Sequence, residues 1–189
     1  MKNVLLFALL VSALNLFAQN GGTVERKGFV FGVGIGGGVI SISDSNSENP
    51  FDKASGGLSL PNLKLGIMLS DRVALLATFP GMIYEYDGKD RSFEGLVPAI
   101  QYWVDNRWWV SGGIGLAIDA PALYEVKKFK DETFNLGCAV SLSTGYELRQ
   151  TDNFTIDLQS KIHLGRVFLE GDEYREGAAF SVGIGFTWY

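Results

Sequence analysis

Hydrophobic and polar residues alternate along most of this chain, and most clearly in the ten-residue segment FSVGIGFTWY. Large apolar side chains occupy every second position from Phe180 to Trp188, with serine, glycine or threonine between them. A period of two residues is typical of a β-strand with one apolar face and one small or polar face. A soluble protein would have to cover this apolar face, whereas a lipid bilayer would surround it directly. The segment therefore predicts a strand that faces a membrane.

The same alternation predicts seven earlier strands. We expect these strands at 28–42, 58–69, 73–84, 93–104, 108–118, 134–148 and 154–168, followed by the closing strand at 180–189. The breaks alternate in length, with short turns at 70–72, 105–107 and 149–153 and longer polar loops at 43–57, 85–92, 119–133 and 169–177. Outer-membrane barrels have short periplasmic turns, longer outer loops and strands of roughly 9–11 membrane-crossing residues. The pattern predicts an all-β fold, an eight-stranded antiparallel up-and-down transmembrane β-barrel.

The aromatic residues test this arrangement independently of the strand bounds. One set is expected at the periplasmic rim with its side chains outward: Phe29, Tyr102, Trp108, Tyr146, Phe154 and Trp188. A second set is expected at the other rim: Phe79, Phe93, Phe134, Phe168 and Phe180. Two aromatic girdles are typical of barrels in a bilayer.

The N-terminal residues predict export. Residues 1–18 have a positive charge at Lys2, an apolar stretch and a small residue, Ala18, before the expected cleavage point, as in a secretory signal peptide. A retained signal anchor is the alternative. We expect a periplasmic leader at 19–26 and the barrel at 27–189. No later run of about 18 apolar residues predicts a membrane helix.

Composition narrows the function further. The chain has 24 glycines and 13% aromatic residues, which suits a strand wall with small inward residues. Its net charge of −5 argues against a nucleic-acid partner. With one histidine and with Cys138 as the single cysteine, the sequence predicts no metal site, cofactor or internal disulfide.

Ionisable residues on inward positions form the candidate site. We expect an interior polar network of Lys64, Glu147, Asp157, Gln159, Lys161 and His163. Gly183 and Gly185 are expected to leave room opposite Lys161 and His163. An eight-stranded barrel is just wide enough to be filled by side chains, and buried charges need partners, so we expect a charge-paired core. A ligand or catalytic site around His163 and a narrow water path are the alternatives.

By its architecture and its aromatic-ended last strand, the chain resembles the small eight-stranded outer-membrane barrel family, the OmpA-type and OmpX-like barrel domains, over residues 28–189. The resemblance implies a monomer in the bacterial outer membrane that contacts lipid and lipopolysaccharide. It also implies insertion by the barrel-assembly machinery through the C-terminal strand. In one respect the chain departs from the family signal, because Tyr189 is one residue out of phase with the outward set.

Two lipid-A-modifying families use similar barrels. The deacylase family has a His-x-Ser pair, but here the residue two after His163 is Gly165, so that triad is not carried over. The palmitoyltransferase family uses wall prolines for lateral lipid access, and Pro80 and Pro98, expected at similar heights, leave this alternative to simple bulges open. We expect a non-enzymatic, loop-displaying barrel. The alternatives are a lipid-modifying or small-ligand-binding barrel that uses the polar interior, and a soluble lipocalin-like carrier.

Overall fold

The computed structural model describes residues 23–45, 54–60, 62–86, 88–124 and 134–189. The predicted signal peptide lies outside these residues. The described residues form nine antiparallel strands: β1 (Phe29–Asp44), β2 (Ala54–Ser59), β3 (Asn62–Ser70), β4 (Val73–Tyr86), β5 (Lys89–Trp103), β6 (Trp108–Pro121), β7 (Asn135–Gln150), β8 (Phe154–Phe168) and β9 (Tyr174–Trp188). No described segment is a helix that is long and apolar enough to span a membrane.

The sheet closes on itself between its first and last strands. β1 pairs with β9 over its length, from Phe31 opposite Trp188 to Asp44 opposite Arg175. From β3 to β9, each strand also pairs with the next one along the chain. This pairing joins the first and last strands, as a β-structure in lipid requires, and among the described strands β2 alone pairs on one side only, with β1.

Strands β2 and β3 together form one strand of the barrel wall. Both pair with β1, where Gly36 lies opposite Ser59 and Val33 lies opposite Leu63. From Gly36 to Val33, β1 advances by three residues, whereas the strand opposite it advances by four, from Ser59 to Leu63. The partner therefore has one extra residue between β2 and β3, as in a β-bulge. The predicted strand at 58–69 is thus interrupted, and the wall has eight strands as the sequence predicted.

The predicted outer loops at 85–92 and 169–177 are wrong in extent. β4 and β5 stay paired up to Tyr86 and Lys89, around a turn in which Gly88 has a φ of 73°. β8 and β9 likewise stay paired up to Phe168 and Tyr174, so the closing strand begins six residues before Phe180. Polar side chains do not end a β-ladder, because backbone pairing continues wherever water or ion pairs can satisfy those side chains.

Opposite these hairpins, the connections are short as predicted. Asp105 organises the one between β5 and β6, because its Oδ1 accepts hydrogen bonds from the backbone N–H groups of Arg107 and Trp108, each 2.7 Å long. These two donors favour the carboxylate and hold the pKa of Asp105 below its ordinary value. This local bonding is typical of Asx turns.

Outward positions along the middle of the wall carry large apolar side chains. Ile35, Ile100 and Ile114 are 57%, 58% and 73% exposed, and the outward residues of β7, β8 and β9 continue the same surface. Contiguous exposed apolar surface of this extent marks a membrane or protein contact. We call this surface the apolar belt.

The interior contains two apolar clusters. One lies toward the start of β1 and the end of β9 and consists of Val30, Ala74, Leu76, Trp103 and Trp109. The other lies toward the β4–β5 and β8–β9 hairpins: Ile40, Ile42, Met82, Tyr84, Phe93, Val97, Ala117, Ala139, Val167 and Ala179. The polar residues predicted for the interior lie between the two apolar clusters or at their outer ends. Polar and apolar layers therefore alternate along the barrel axis.

Candidate functional site: the filled interior

Glu147 is the centre of a polar cluster at the end of the barrel where β1 begins and β9 ends. Its side chain is fully buried and accepts hydrogen bonds from four side chains. Oε2 accepts from Arg26 Nη2 at 2.8 Å and Gln150 Nε2 at 2.6 Å, and Oε1 accepts from Trp103 Nε1 at 2.8 Å and the Tyr189 hydroxyl at 3.3 Å. A buried carboxylate is stable in such a site because an opposite charge and several donors replace its hydration. We call these five residues the terminal clasp.

A β-bulge allows two members of the terminal clasp to point inward. Residues an odd number apart normally face opposite sides of a strand, yet Glu147 and Gln150 both face the interior. The register between β7 and β8 shifts between Glu147 and Arg149, which inserts one residue and resets the alternation.

The terminal clasp also explains the phase of Tyr189. Trp188 faces outward and lies against Phe154 and Phe31, with ring centroids 4.9 and 5.6 Å apart. Tyr189 points inward, where its ring meets the edge of Trp103 at 6.0 Å and its hydroxyl reaches Glu147. The last two aromatic residues therefore serve opposite faces of the wall.

Arg26 is a site residue that the sequence did not indicate. We expected it in a polar leader, but its side chain enters the barrel mouth, where its guanidinium lies 4.8 Å from the centre of the Trp103 ring and bonds to Glu147. It also donates to the carbonyl of Asn106 at 2.8 Å. A single arginine before the first strand carries no periodic signal, so nothing in the sequence separates it from solvated leader residues.

The middle of the barrel holds the remaining predicted polar residues. Lys161 donates a hydrogen bond to Asn62, and the ammonium of Lys64 lies 4.9 Å from the centre of the Trp109 ring. Asp157 is buried, and neither of its carboxylate oxygens has a hydrogen-bond donor among the described residues. A cavity of about 20 Å³ lies beside these groups, close to the space that one water molecule needs. Side chains therefore fill this level.

The glycines of β9 make room for different residues from those expected. Gly185 lies opposite Asp157 and Gly183 opposite Gln159, whereas Lys161 faces Ser181 and His163 faces Ala179. A Cβ atom at Gly185 would lie 2.6 Å from Asp157 Oδ1. The expectation of space opposite Lys161 and His163 was thus wrong: Gly183 lies two residues beyond the partner of Lys161 and four beyond the partner of His163. The sequence alone does not fix the register at which β8 and β9 meet.

His163 lies in apolar surroundings. Its ring centroid is 5.5 Å from that of Phe93, and a Cβ atom at Gly95 would lie 2.7 Å from its Cε1. No carboxylate of the described residues hydrogen-bonds to its ring. Among the described residues, His163 therefore has no acidic partner of the kind that general-base catalysis uses.

A second ionic cluster closes the opposite end of the interior. Asp119 is fully buried, and its Oδ1 accepts from the Tyr84 hydroxyl at 2.9 Å and from Arg91 Nε at 3.1 Å. Its Oδ2 accepts from Arg175 Nη1 at 2.8 Å. Arg175 also bonds through Nε to Asp44 Oδ1 at 2.6 Å. We call these five residues the outer ion cluster.

The sequence missed the outer ion cluster because four of its members lay in predicted loops. Asp44, Arg91, Asp119 and Arg175 were assigned to solvated connections. In the structure the strands continue past the expected ends, and the inward alternation continues with them. The alternation of the sequence does indicate Arg175, because this residue continues the inward series of small residues at 177, 179 and 181.

The predicted periplasmic girdle residues all lie on the outer face at one end of the strands. Tyr102 lies opposite Val110, Trp108 opposite Tyr146 and Phe154 opposite Trp188. Phe29 is 62% exposed at the start of β1. The prediction that Phe93 belongs to the second girdle is wrong. Phe93 is fully buried inside the barrel, because odd-numbered residues of β5 face inward.

The two wall prolines interrupt the ladder on both sides of β5. Pairing of β4 with β5 stops at Thr78–Val97 and resumes at Gly81–Glu94, a gap that contains Pro80. Pairing of β5 with β6 skips from Leu96 to Ala99, across Pro98. Pro80 faces inward and Pro98 faces outward. Pro98 lies opposite Ala77, three residues from Pro80, so the expectation that the two prolines lie at nearly the same height is wrong. Proline has no N–H to donate, which accounts for both gaps.

No metal site is formed by the residues that the structure describes, in which no three His, Cys, Asp or Glu residues are grouped to hold an ion. The single cysteine, Cys138, is exposed on the outward side of β7 and forms no disulfide.

Comparison with known proteins places this fold in one class. Neisserial surface protein A (NspA) matches with a TM-score of 0.58 and 13% identity, over 85% of this chain and 96% of that one. Ail of Yersinia pestis matches with a TM-score of 0.45 and 13% identity, over 85% and 99% of the two chains. The outer-membrane protein AlkL matches with a TM-score of 0.48 and 12% identity, over 90% and 93%. No protein-family model and no curated protein matches the sequence.

The chain is thus an antiparallel β-barrel of the small outer-membrane type, and the predicted fold class is confirmed. Within that class it shares the fold of NspA, and at 13% identity the similarity extends to the fold alone.

Proposed function

We propose that this protein is a non-enzymatic integral barrel of the bacterial outer membrane, whose rigid, filled interior supports the hairpins and loops displayed outside the cell. One observation carries the proposal. An apolar belt encloses an interior that is closed at each end by a buried ionic cluster, the terminal clasp and the outer ion cluster. Such a wall needs lipid around it, and the two clusters fill the ends of the interior with the protein's own side chains.

The same proposal includes the partners and the processing. The belt contacts outer-membrane lipid and lipopolysaccharide, residues 1–18 are removed on export, and the barrel occupies 27–189 as a monomer. The C-terminal strand carries the signal for the barrel-assembly machinery, with Trp188 as its outward aromatic residue. The six rim aromatics then anchor the periplasmic interface.

Three contacts support a non-enzymatic role. His163 packs against Phe93, and Lys161 donates a hydrogen bond to Asn62. The Glu147 carboxylate accepts hydrogen bonds from four side chains. Lys161 and Glu147 therefore have structural hydrogen-bond partners, and His163 has a packing partner in place of a carboxylate. The gaps beside Pro80 and Pro98 remain the feature of the wall that a lipid-modifying barrel would use.

Cell fractionation combined with electrophoresis tests the proposal. We expect the mature chain in the outer-membrane fraction, and we expect its unheated form to migrate differently from its boiled form, because a closed barrel resists detergent. Single-channel recording should show no stable open pore, since side chains fill the middle of the barrel. Recovery from the soluble periplasm would favour the lipocalin-like alternative.

A charge placed on the apolar belt provides a second test. Ile114 is the most exposed belt residue of β6, six residues from the rim at Trp108. Ile114→Arg should lower the free energy of unfolding in lipid vesicles by roughly 2–4 kcal/mol, the cost of an arginine near the bilayer midplane. Tryptophan fluorescence during urea unfolding measures it. The control Asn106→Arg, in the turn at the rim, should change it little, and equal effects would contradict a lipid-facing belt.

A further inference from the structure

A surface depression, which we call the dent, interrupts the apolar belt on the face formed by β7, β8, β9 and β1. It encloses about 370 Å³. Four of the outward residues that line it are small: Ser41, Ser43, Cys138 and Ala178. Leu164 and Val140 line one side of it.

The strand registers place a pair of opposite charges at the outer edge of this dent. Ala178 lies between Ser41 and Leu164, and in the next row Glu176 lies between Ser43 and Arg166. Arg166 Nε donates to Glu176 Oε1 at 2.9 Å, Arg166 Nη2 donates to the same oxygen, and the guanidinium lies 4.3 Å from the centre of the Tyr174 ring. Both charged side chains are about half exposed.

The height of this pair matches a membrane surface. Twelve residues separate Arg166 from the rim residue Phe154 on β8 (166 − 154 = 12). At about 3.3 Å per residue the strand covers roughly 40 Å, and a tilt of about 40° reduces this to roughly 30 Å of height. The hydrocarbon core of a bilayer is about 30 Å thick. With Phe154 at one interface, Arg166 and Glu176 therefore lie at the level of the opposite headgroups, and the dent lies just below them among the acyl chains.

The bonding of the charged pair leaves groups of both signs available. Both hydrogen bonds end on Oε1, so Glu176 Oε2 has no donor among the described residues, and they use two of the five N–H groups of Arg166. A purely anionic headgroup would gain from Arg166 but be repelled by Glu176. A headgroup with a phosphate and a primary amine complements both charges at once.

We infer that this dent is a binding site for a lipid with a phosphoethanolamine headgroup, which places its phosphate on Arg166, its ammonium on Glu176 and one acyl chain in the dent. The inference rests on the proposed membrane location. It adds a specific lipid contact to a belt that otherwise accepts any acyl chain.

Cys138 provides the measurement, because it lines the dent and is the only cysteine of the chain. The mature protein, folded in detergent micelles, is mixed with phosphatidylethanolamine, with phosphatidylglycerol at equal mole fraction, or with free phosphoethanolamine. The rate at which a small thiol reagent modifies Cys138 is then followed by mass spectrometry. We expect phosphatidylethanolamine to slow modification about tenfold more than phosphatidylglycerol, the ratio that one charge-assisted hydrogen bond provides. Free phosphoethanolamine should not slow it.

Variants of the charged pair and of the dent separate this inference from general lipid coverage. Arg166→Gln and Glu176→Gln should each abolish the preference between the two lipids, and Ala178→Leu should do so by filling the dent. Arg72→Gln, at the opposite rim, and Ser160→Leu, an outward residue outside the dent, should retain it. Equal protection by both lipids, or a preference that survives in all three test variants, would overturn the inference.

Heat-modifiable migration of each variant shows whether its barrel is closed. A wild-type chain that forms no barrel contradicts the proposed function itself. A closed barrel with no lipid preference contradicts only the lipid site.

Discussion

Asp119→Asn is expected to lower the free energy of unfolding by about 3–5 kcal/mol, the cost of breaking a buried ion pair by removing one partner. Asp119 is fully buried, and its two oxygens accept from Tyr84, Arg91 and Arg175. Asparagine keeps the shape but replaces one acceptor by an NH₂ donor that faces a guanidinium. Urea unfolding in lipid vesicles, followed by tryptophan fluorescence, measures the loss.

The matched control and a double variant define the cause of this loss. Glu85→Gln removes a carboxylate from an exposed, outward position of β4 at the same end of the barrel, and it should change the free energy of unfolding by less than about 1 kcal/mol. Arg91→Met combined with Asp119→Asn should be more stable than Asp119→Asn alone, because it removes one of the two guanidinium groups that face the new amide. If the double variant is the less stable of the two, charge pairing is not what holds this end together.

The fold was predictable because each crossing segment repeats the same two-residue alternation. Ile114 and Leu164, for example, are outward in the structure as their parity required, and the outward position of Trp188 follows from the same count. Lipid on one side and a narrow interior on the other enforce this alternation at every position, so a shift by one residue would turn a whole strand face the wrong way.

The ends of the strands were not predictable from polarity alone. Above the membrane, both faces of a strand can be polar, so Arg91 and Arg175 read as loop residues although they pair across the interior. The register between strands was also hidden, as the glycine partners of Asp157 and Gln159 show. Register depends on the stagger that closes the barrel, which is a property of all eight strands together.

Some site residues depend on single local irregularities. Glu147 and Gln150 share a cluster only because β7 bulges between Glu147 and Arg149. Arg26 reaches them from a segment with no regular structure. A bulge and an isolated arginine leave no periodic trace, so the terminal clasp could be predicted only through Glu147.

Glu147→Gln tests the terminal clasp, and we expect it to lower the free energy of unfolding by about 3 kcal/mol. The clasp joins Arg26, just before β1, to Tyr189, just after β9, through one carboxylate. Because β1 and β9 pair to close the barrel, loss of this link should weaken closure directly. The unheated band in electrophoresis should therefore convert to the boiled form at a lower temperature than in the wild type.

Two further variants give an order of effects that a general loss of packing would not produce. Arg26→Gln should cost less than Glu147→Gln, because Trp103, Gln150 and Tyr189 still donate to the carboxylate in that variant. Glu25→Gln, at the residue directly before Arg26, removes an exposed partner of Lys27. It should leave the temperature at which the unheated band converts unchanged. If Glu147→Gln behaves like Glu25→Gln, the buried carboxylate does not hold the two ends of the chain together, and backbone pairing between β1 and β9 is sufficient for closure.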